Sequence, residues 1–181
     1  MTNRWRATVA ALAVLAAGCS AEDRGDFYAR GHGLSMAGLP IDAESRIIEA
    51  AIRTAFDVEP SLTLRIHPRR LPRTTGDSGG APVPAALVQS LRGRGLVLGT
   101  CDPMRTSPRD TPRCAGPQAG YIVRTSDVFR VSPDTVAIWF AAEKFGAATG
   151  QRPEALRFEK VYQLVAQGQR WRVAREARAA H

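Results

Sequence analysis

Histidine is nearly missing from this 181-residue chain, which has only His32, His67 and His181. Three scattered imidazoles, one of them terminal, supply neither a convergent acid–base pair nor a metal-ligand set. Cysteine is equally sparse, at Cys19, Cys101 and Cys114, with no histidine close in sequence to the later two. No glycine-rich phosphate loop follows a strand and opens a helix, as a nucleotide site requires. Neither a metal nor a cofactor is therefore expected. Long apolar runs are absent too: the longest, Ala7 to Ala17, is barely half of the roughly 20 residues that span a bilayer as a helix. Lysine is confined to Lys144 and Lys160 among 25 basic residues.

What is present begins at the amino terminus. Arg4 and Arg6 precede the apolar run, which ends in small residues, the layout of a secretory signal peptide. With Cys19 closing Leu15-Ala16-Ala17-Gly18-Cys19, the segment resembles a bacterial lipoprotein signal. The resemblance implies cleavage after Gly18, acylation of Cys19, and a mature chain lying at a cell membrane or outer membrane and facing the periplasm or exterior. The competing readings are a plain secretion signal and an uncleaved anchor. Each buried CH₂ contributes about 0.8 kcal/mol, so two or three acyl chains hold a protein durably.

If Cys19 carries lipid, Cys101 and Cys114 are left as one pair in an oxidising compartment, where a disulfide persists. The intervening Asp102 to Arg113 holds three prolines and little that forms regular structure. Closing such a loop stabilises the fold by about 3 kcal/mol. The alternatives are a metal site and a redox pair, but a redox motif has two residues between its sulfurs.

The formal net charge is +8, carried almost wholly by arginine, whose planar fork bonds phosphate and carboxylate bidentately. Arg69, Arg70, Arg73, Arg105, Arg109 and Arg113 are candidates for an anion-attracting surface. Export argues against nucleic acid as a partner. The membrane, reached through the lipid anchor, an envelope protein and an anionic ligand are the partners to expect. Interspersed acids make a merely solvated, basic surface the bland alternative.

The chain divides into residues 1–18, a lipoprotein signal peptide, 19–40, the lipidated cysteine and a flexible glycine-bearing tether, and 41–181, a single domain. From Asp42 to Phe56, Ile48, Ala51, Ile52, Ala55 and Phe56 recur at helical spacing, with Asp42 as the N-cap. Ser61 to His67 alternates as a half-buried strand, and Pro68 to Pro82 is a breaker-rich loop. A short helix follows Pro84 and ends near Gly93, before a brief strand at Leu96 to Leu98. Tyr121 to Val131 and Thr135 to Phe145 flank the turn Ser132-Pro133-Asp134, and Arg157 to Gln167 and Arg170 to Glu176 flank Gly168. Thr135 to Phe145 is apolar on both faces, the mark of a central strand. The fold class is α+β, a C-terminal antiparallel β-meander with one or two helices packed on one face.

Phe158, Tyr162, Leu164, the Gly168 turn, Trp171 and Val173 make this last third resemble nuclear-transport-factor-like and cystatin-like folds. Those folds carry both enzymes and binding modules, so function stays open. Gly76-Asp77-Ser78-Gly79-Gly80 resembles the nucleophile segment of chymotrypsin-like proteases, although His67 lacks the surroundings that family places around its histidine; Ser78 with His67 is the pair to test. Too little chain precedes Ser78 for that family's two barrels, and the string also reads as a flexible loop. No catalytic residue is assigned. The leading expectation is a membrane-anchored, non-catalytic binding or accessory domain. The alternative is a small-ligand or enzymatic pocket in the concave face, lined by Tyr121, Trp139, Tyr162 or Trp171.

Overall fold

The computed structural model describes residues 33–56, 63–72, 80–101, 120–145 and 157–178. Among these residues seven strands form one mixed, mostly antiparallel sheet, and two helices, α1 (Ile41–Phe56) and α2 (Ala85–Gly93), accompany it. The chain is therefore α+β. Its strands are β1 (Ser35–Met36), β2 (Thr63–Ile66), β3 (Gly120–Thr125), β4 (Phe129–Ser132), β5 (Thr135–Phe145), β6 (Arg157–Gln167) and β7 (Arg170–Arg178).

β5 organises the sheet. Val136, Ile138, Phe140 and Ala142 point to one face and Ala137, Trp139 and Ala141 to the other, and all seven are buried. A strand apolar on both faces needs cover over both, and β5 has it, from a core on each side of the sheet. β6 pairs with one edge along most of its length, from Thr135↔Val165 to Glu143↔Arg157. The other edge is shared: β3 takes the half near Phe145 and β4 the half near Thr135. The expected single strand from Tyr121 to Val131 is thus two strands broken at Ser126–Val128. Ser126 stitches the break, donating its N–H to the Trp139 carbonyl at 2.9 Å and accepting the Trp139 N–H on its hydroxyl at 3.0 Å.

Two further differences concern the sheet margins. β2 runs parallel to β3, so the N-terminal part of the sheet is a crossover rather than a meander. Leu96 and Val97 are buried core residues outside any strand, whereas Leu98 to Cys101 pair alongside β2 through Leu98 N–H to the Leu64 carbonyl and Cys101 N–H to the Ile66 carbonyl, both at 2.9 Å. β1, drawn from the stretch expected to be tether, pairs with β4. A two-residue strand leaves no periodicity to read. β7 pairs only with β6 among the described strands and forms an edge of the sheet.

Both helices cover one face. Ile47, Ile48, Ala51 and Ile52 of α1 meet Leu87, Val88 and Leu91 of α2 and the even-numbered residues of β5 in one core. Each fully buried Ile, Leu or Phe among them stabilises the fold by about 1.5–3 kcal/mol. At the helix crossing the Ser90 hydroxyl donates to the Ser45 hydroxyl at 3.0 Å, and Ser45 donates to the Asp42 carbonyl at 2.8 Å. Phe56, at the end of α1, sits 5.0 Å from Tyr121, 5.8 Å from Phe158 and 6.1 Å from Phe140, centroid to centroid. On the opposite face Phe129 meets Trp139 edge-on at 5.6 Å, with Leu71, Leu34 and Val161 around them.

Candidate functional site

α1 carries a second stripe beside its apolar one. Arg46, Glu49, Ala50 and Arg53 recur at i, i+3, i+4 and i+7 and so share a face. That face looks across to the turn between β6 and β7. Gly168, at φ +61°, supplies the left-handed residue of the turn and delivers Gln169, Arg170 and Trp171 opposite the helix. Arg94 closes one end. It follows α2, which ends at Gly93 as expected from the sequence, with the left-handed turn taken two residues on at Gly95. Together these residues line an open groove of about 680 Å³.

Its electrostatics rest on two carboxylates. Asp42 lies in the first turn of α1 and not at the N-cap: the helix starts at Ile41, and the Pro40 carbonyl accepts the Glu44 N–H at 3.0 Å. From there one Asp42 oxygen pairs with Arg46 and the other with Arg94 Nη2 at 2.6 Å. The Arg46 hydrogen bond, helped by the charges of Arg46 and Arg94 and opposed by some desolvation, holds the Asp42 carboxyl below its ordinary value of 3.8. Glu49 repeats the pattern, with Arg53 Nη2 at 2.9 Å on one oxygen and Arg94 Nη1 at 3.2 Å on the other. Arg46 Nη1 also donates to the Gln169 carbonyl at 3.0 Å, tying helix to turn. The carboxylates act as struts that fix three guanidinium groups at the mouth of the groove.

A second charged cluster is closed to solvent. Arg70 is 6% exposed, and its Nη1 lies 2.6 Å from Glu44 Oε1 and 3.1 Å from the Ser126 carbonyl. Its Nε is 3.3 Å from Asp127 Oδ1. This buried pairing joins the start of α1, the segment after β2, and the break between β3 and β4. Arg70 is thereby withdrawn from the anion-attracting surface expected of it. Arg69 is exposed, and Arg73, Arg105, Arg109 and Arg113 lie outside the described residues.

The other sequence candidates divide likewise. Trp139 and Tyr162 are fully buried on opposite faces of the sheet, and only Trp171 of the four aromatics lines the groove. They do not converge on one cavity. His67 accepts the Arg69 N–H on Nδ1 at 3.0 Å, while Ser78 lies outside the described residues. Cys101 is buried against Ile122 and Phe145, and Cys19 and Cys114 also lie outside the described residues. Among the described residues no three His, Cys, Asp or Glu side chains converge as a metal set, and no helix is long and apolar enough to cross a membrane.

Comparison with family models, curated proteins and solved structures finds no match to this chain. The groove's own chemistry therefore carries the functional reading. The Arg46–Glu49–Arg53 spacing is visible in the sequence beside the stronger apolar stripe of the same helix. Nothing in the sequence ties Arg94 or Gln169–Trp171 to that stripe.

Proposed function

We propose that this chain is a lipid-anchored envelope protein whose domain is a non-catalytic binding module, and that the arginine groove between α1 and the β6–β7 turn receives an anionic ligand. The observation that carries the reading is the sharing of two carboxylates among three groove arginines, with a fourth, Arg170, beside them and in no ion pair among the described residues. Such an arrangement leaves positive charge in a concave site and fixes its donors before the ligand arrives, which lowers the ordering cost of binding. The anchor rests on Leu15-Ala16-Ala17-Gly18-Cys19, and the Cys101–Cys114 disulfide belongs to the same proposal. The bland reading, in which the network merely ties α1 to α2, accounts for Asp42 and Arg94 but gives Arg170 nothing to do.

Native mass spectrometry of protein extracted gently from its own membrane tests both parts. An amino-terminal peptide beginning at an acylated Cys19 is expected, and an unmodified Cys19 overturns the anchor. A small anionic adduct that disappears in Arg170→Gln is expected for the groove. Absence of any adduct, together with no measurable affinity for any small anion, overturns the binding role.

A further inference from the structure

Building on the reading of the groove as an anion site, we propose that its ligand is a phosphomonoester, an organic group bearing a dianionic phosphate. The first argument is charge. Among the described residues, Arg46, Arg53, Arg94 and Arg170 form ion pairs only with Asp42 and Glu49, which leaves two positive charges unneutralised there. A phosphomonoester carries about −1.5 to −2 at pH 7, whereas a carboxylate or a phosphodiester carries a single charge. Of these three groups, the phosphomonoester dianion matches the surplus.

The second argument is geometry. Each guanidinium has five N–H donors, and the carboxylates occupy only some of them. Arg53 spends Nε and Nη2 on Glu49 Oε1, at 3.0 and 2.9 Å, and keeps Nη1 available. The Arg170 side chain makes no hydrogen bond or ion pair with the described residues, its backbone being paired in the β6–β7 ladder. Planar forks of this kind bond phosphate oxygens in pairs, which is where arginine outperforms lysine. Asp42 and Glu49 each have both oxygens committed to arginine, so neither repels an incoming anion with an unshielded charge.

The third argument is the wall. Trp171 is half-buried and lines the groove with Ala50, an apolar flank beside a polar floor. Inorganic phosphate leaves that flank unused, whereas an organic group attached to the phosphate covers it. A volume of about 680 Å³ exceeds what a bare phosphate fills and falls in the range of small-ligand sites. The phosphomonoester has two possible sources, a soluble molecule or a lipid headgroup at the membrane beneath the tether.

The test uses the full mature chain purified as the cell makes it, in nanodiscs of zwitterionic lipid, titrated calorimetrically with phenyl phosphate, diphenyl phosphate and benzoate. Phenyl phosphate is expected to bind at least tenfold more tightly than either monoanion. Its affinity is expected to fall severalfold between pH 7.5 and pH 5, as the phosphate regains its second proton near pH 6. Arg170→Gln is expected to weaken phenyl phosphate at least fivefold without moving Tm. Trp171→Leu is expected to weaken phenyl phosphate while sparing inorganic phosphate. Competition by phosphatidate added to the nanodisc assigns the ligand to the membrane; phenyl phosphate binding unaffected by phosphatidate assigns it to the soluble phase. Benzoate equal to phenyl phosphate overturns the phosphomonoester and leaves an anion groove standing. Unchanged affinity in Arg170→Gln overturns the site, and no binding of any probe overturns the groove reading as well.

Discussion

Asp42 and Arg94 lie 52 residues apart in the chain and 2.6 Å apart in the fold. Between them they connect the first turn of α1 to the exit of α2, and Asp42 holds Arg46 with its other oxygen. Because the folded state depresses the Asp42 pKa, the stabilisation is complete above its unfolded value near 3.8 and is lost as pH falls through the lower folded value. Asp42→Asn is expected to lower Tm slightly at neutral pH and low salt. The difference from the parent chain should vanish in 1 M salt and in strong acid, as thermal melts across salt and pH will show.

Arg70 gives a larger effect, because its charge is enclosed. Arg70→Met strands Glu44 and Asp127 without their cation, and breaking a buried pair from one side costs about 3–5 kcal/mol. Adding Glu44→Leu is expected to recover part of that loss. Urea midpoints of the single and double variants measure the coupling, and strict additivity would rule out a shared network.

Gly120 is a steric matter. A Cβ built there would sit 2.1 Å from the Thr63 carbonyl oxygen and 2.8 Å from the Thr63 Cβ. Both atoms belong to the parallel partner strand β2, so Gly120→Ala forces β2 and β3 apart. A loss of about 1–3 kcal/mol is expected, the usual range for overpacking. Amide exchange should quicken at Thr63–Ile66 first, where the ladder opens.

Tyr162 is fully buried, and its hydroxyl has no hydrogen-bond partner among the described residues. Burial, with the charge of Glu176 adding to it, raises its pKa far above the ordinary value of 10. Its neutral form therefore supports the fold fully below pH 10, and that support is lost as pH rises above the unfolded value. Tyr162→Phe is expected to stabilise the protein by about 1–2 kcal/mol by removing an unsatisfied polar group. It should also flatten the alkaline decline in urea midpoint between pH 9 and pH 11.

The sequence made the centre of this fold plain and its edges obscure. Thr135 to Phe145 announces a central strand because both of its residue sets are apolar, and α1 announces itself through Ile48, Ala51, Ile52, Ala55 and Phe56. The break at Ser126–Val128 was hidden because the residues around it stay strand-like, and only the Ser126–Trp139 stitching reveals it. Arg69 and Arg70 are identical in composition, yet one is solvated and the other enclosed, a difference set by Glu44 and Asp127 far away in the chain. The groove was half-legible: helical spacing gathers Arg46, Glu49 and Arg53, while tertiary packing alone adds Arg94, Arg170 and Trp171.

The position of β7 has a consequence for solubility. An edge strand of nine residues, paired on one side only among the described strands, is a template on which another chain can add, the first step of aggregation. Arg170, Arg172, Arg175 and Arg178 are all exposed along it, and a second copy approaching edge to edge would bring like charges into register. Arg170 thus stands in the groove and on the guarded edge at once. Neutralising the β7 arginines together is expected to promote self-association, read as a rise in light scattering.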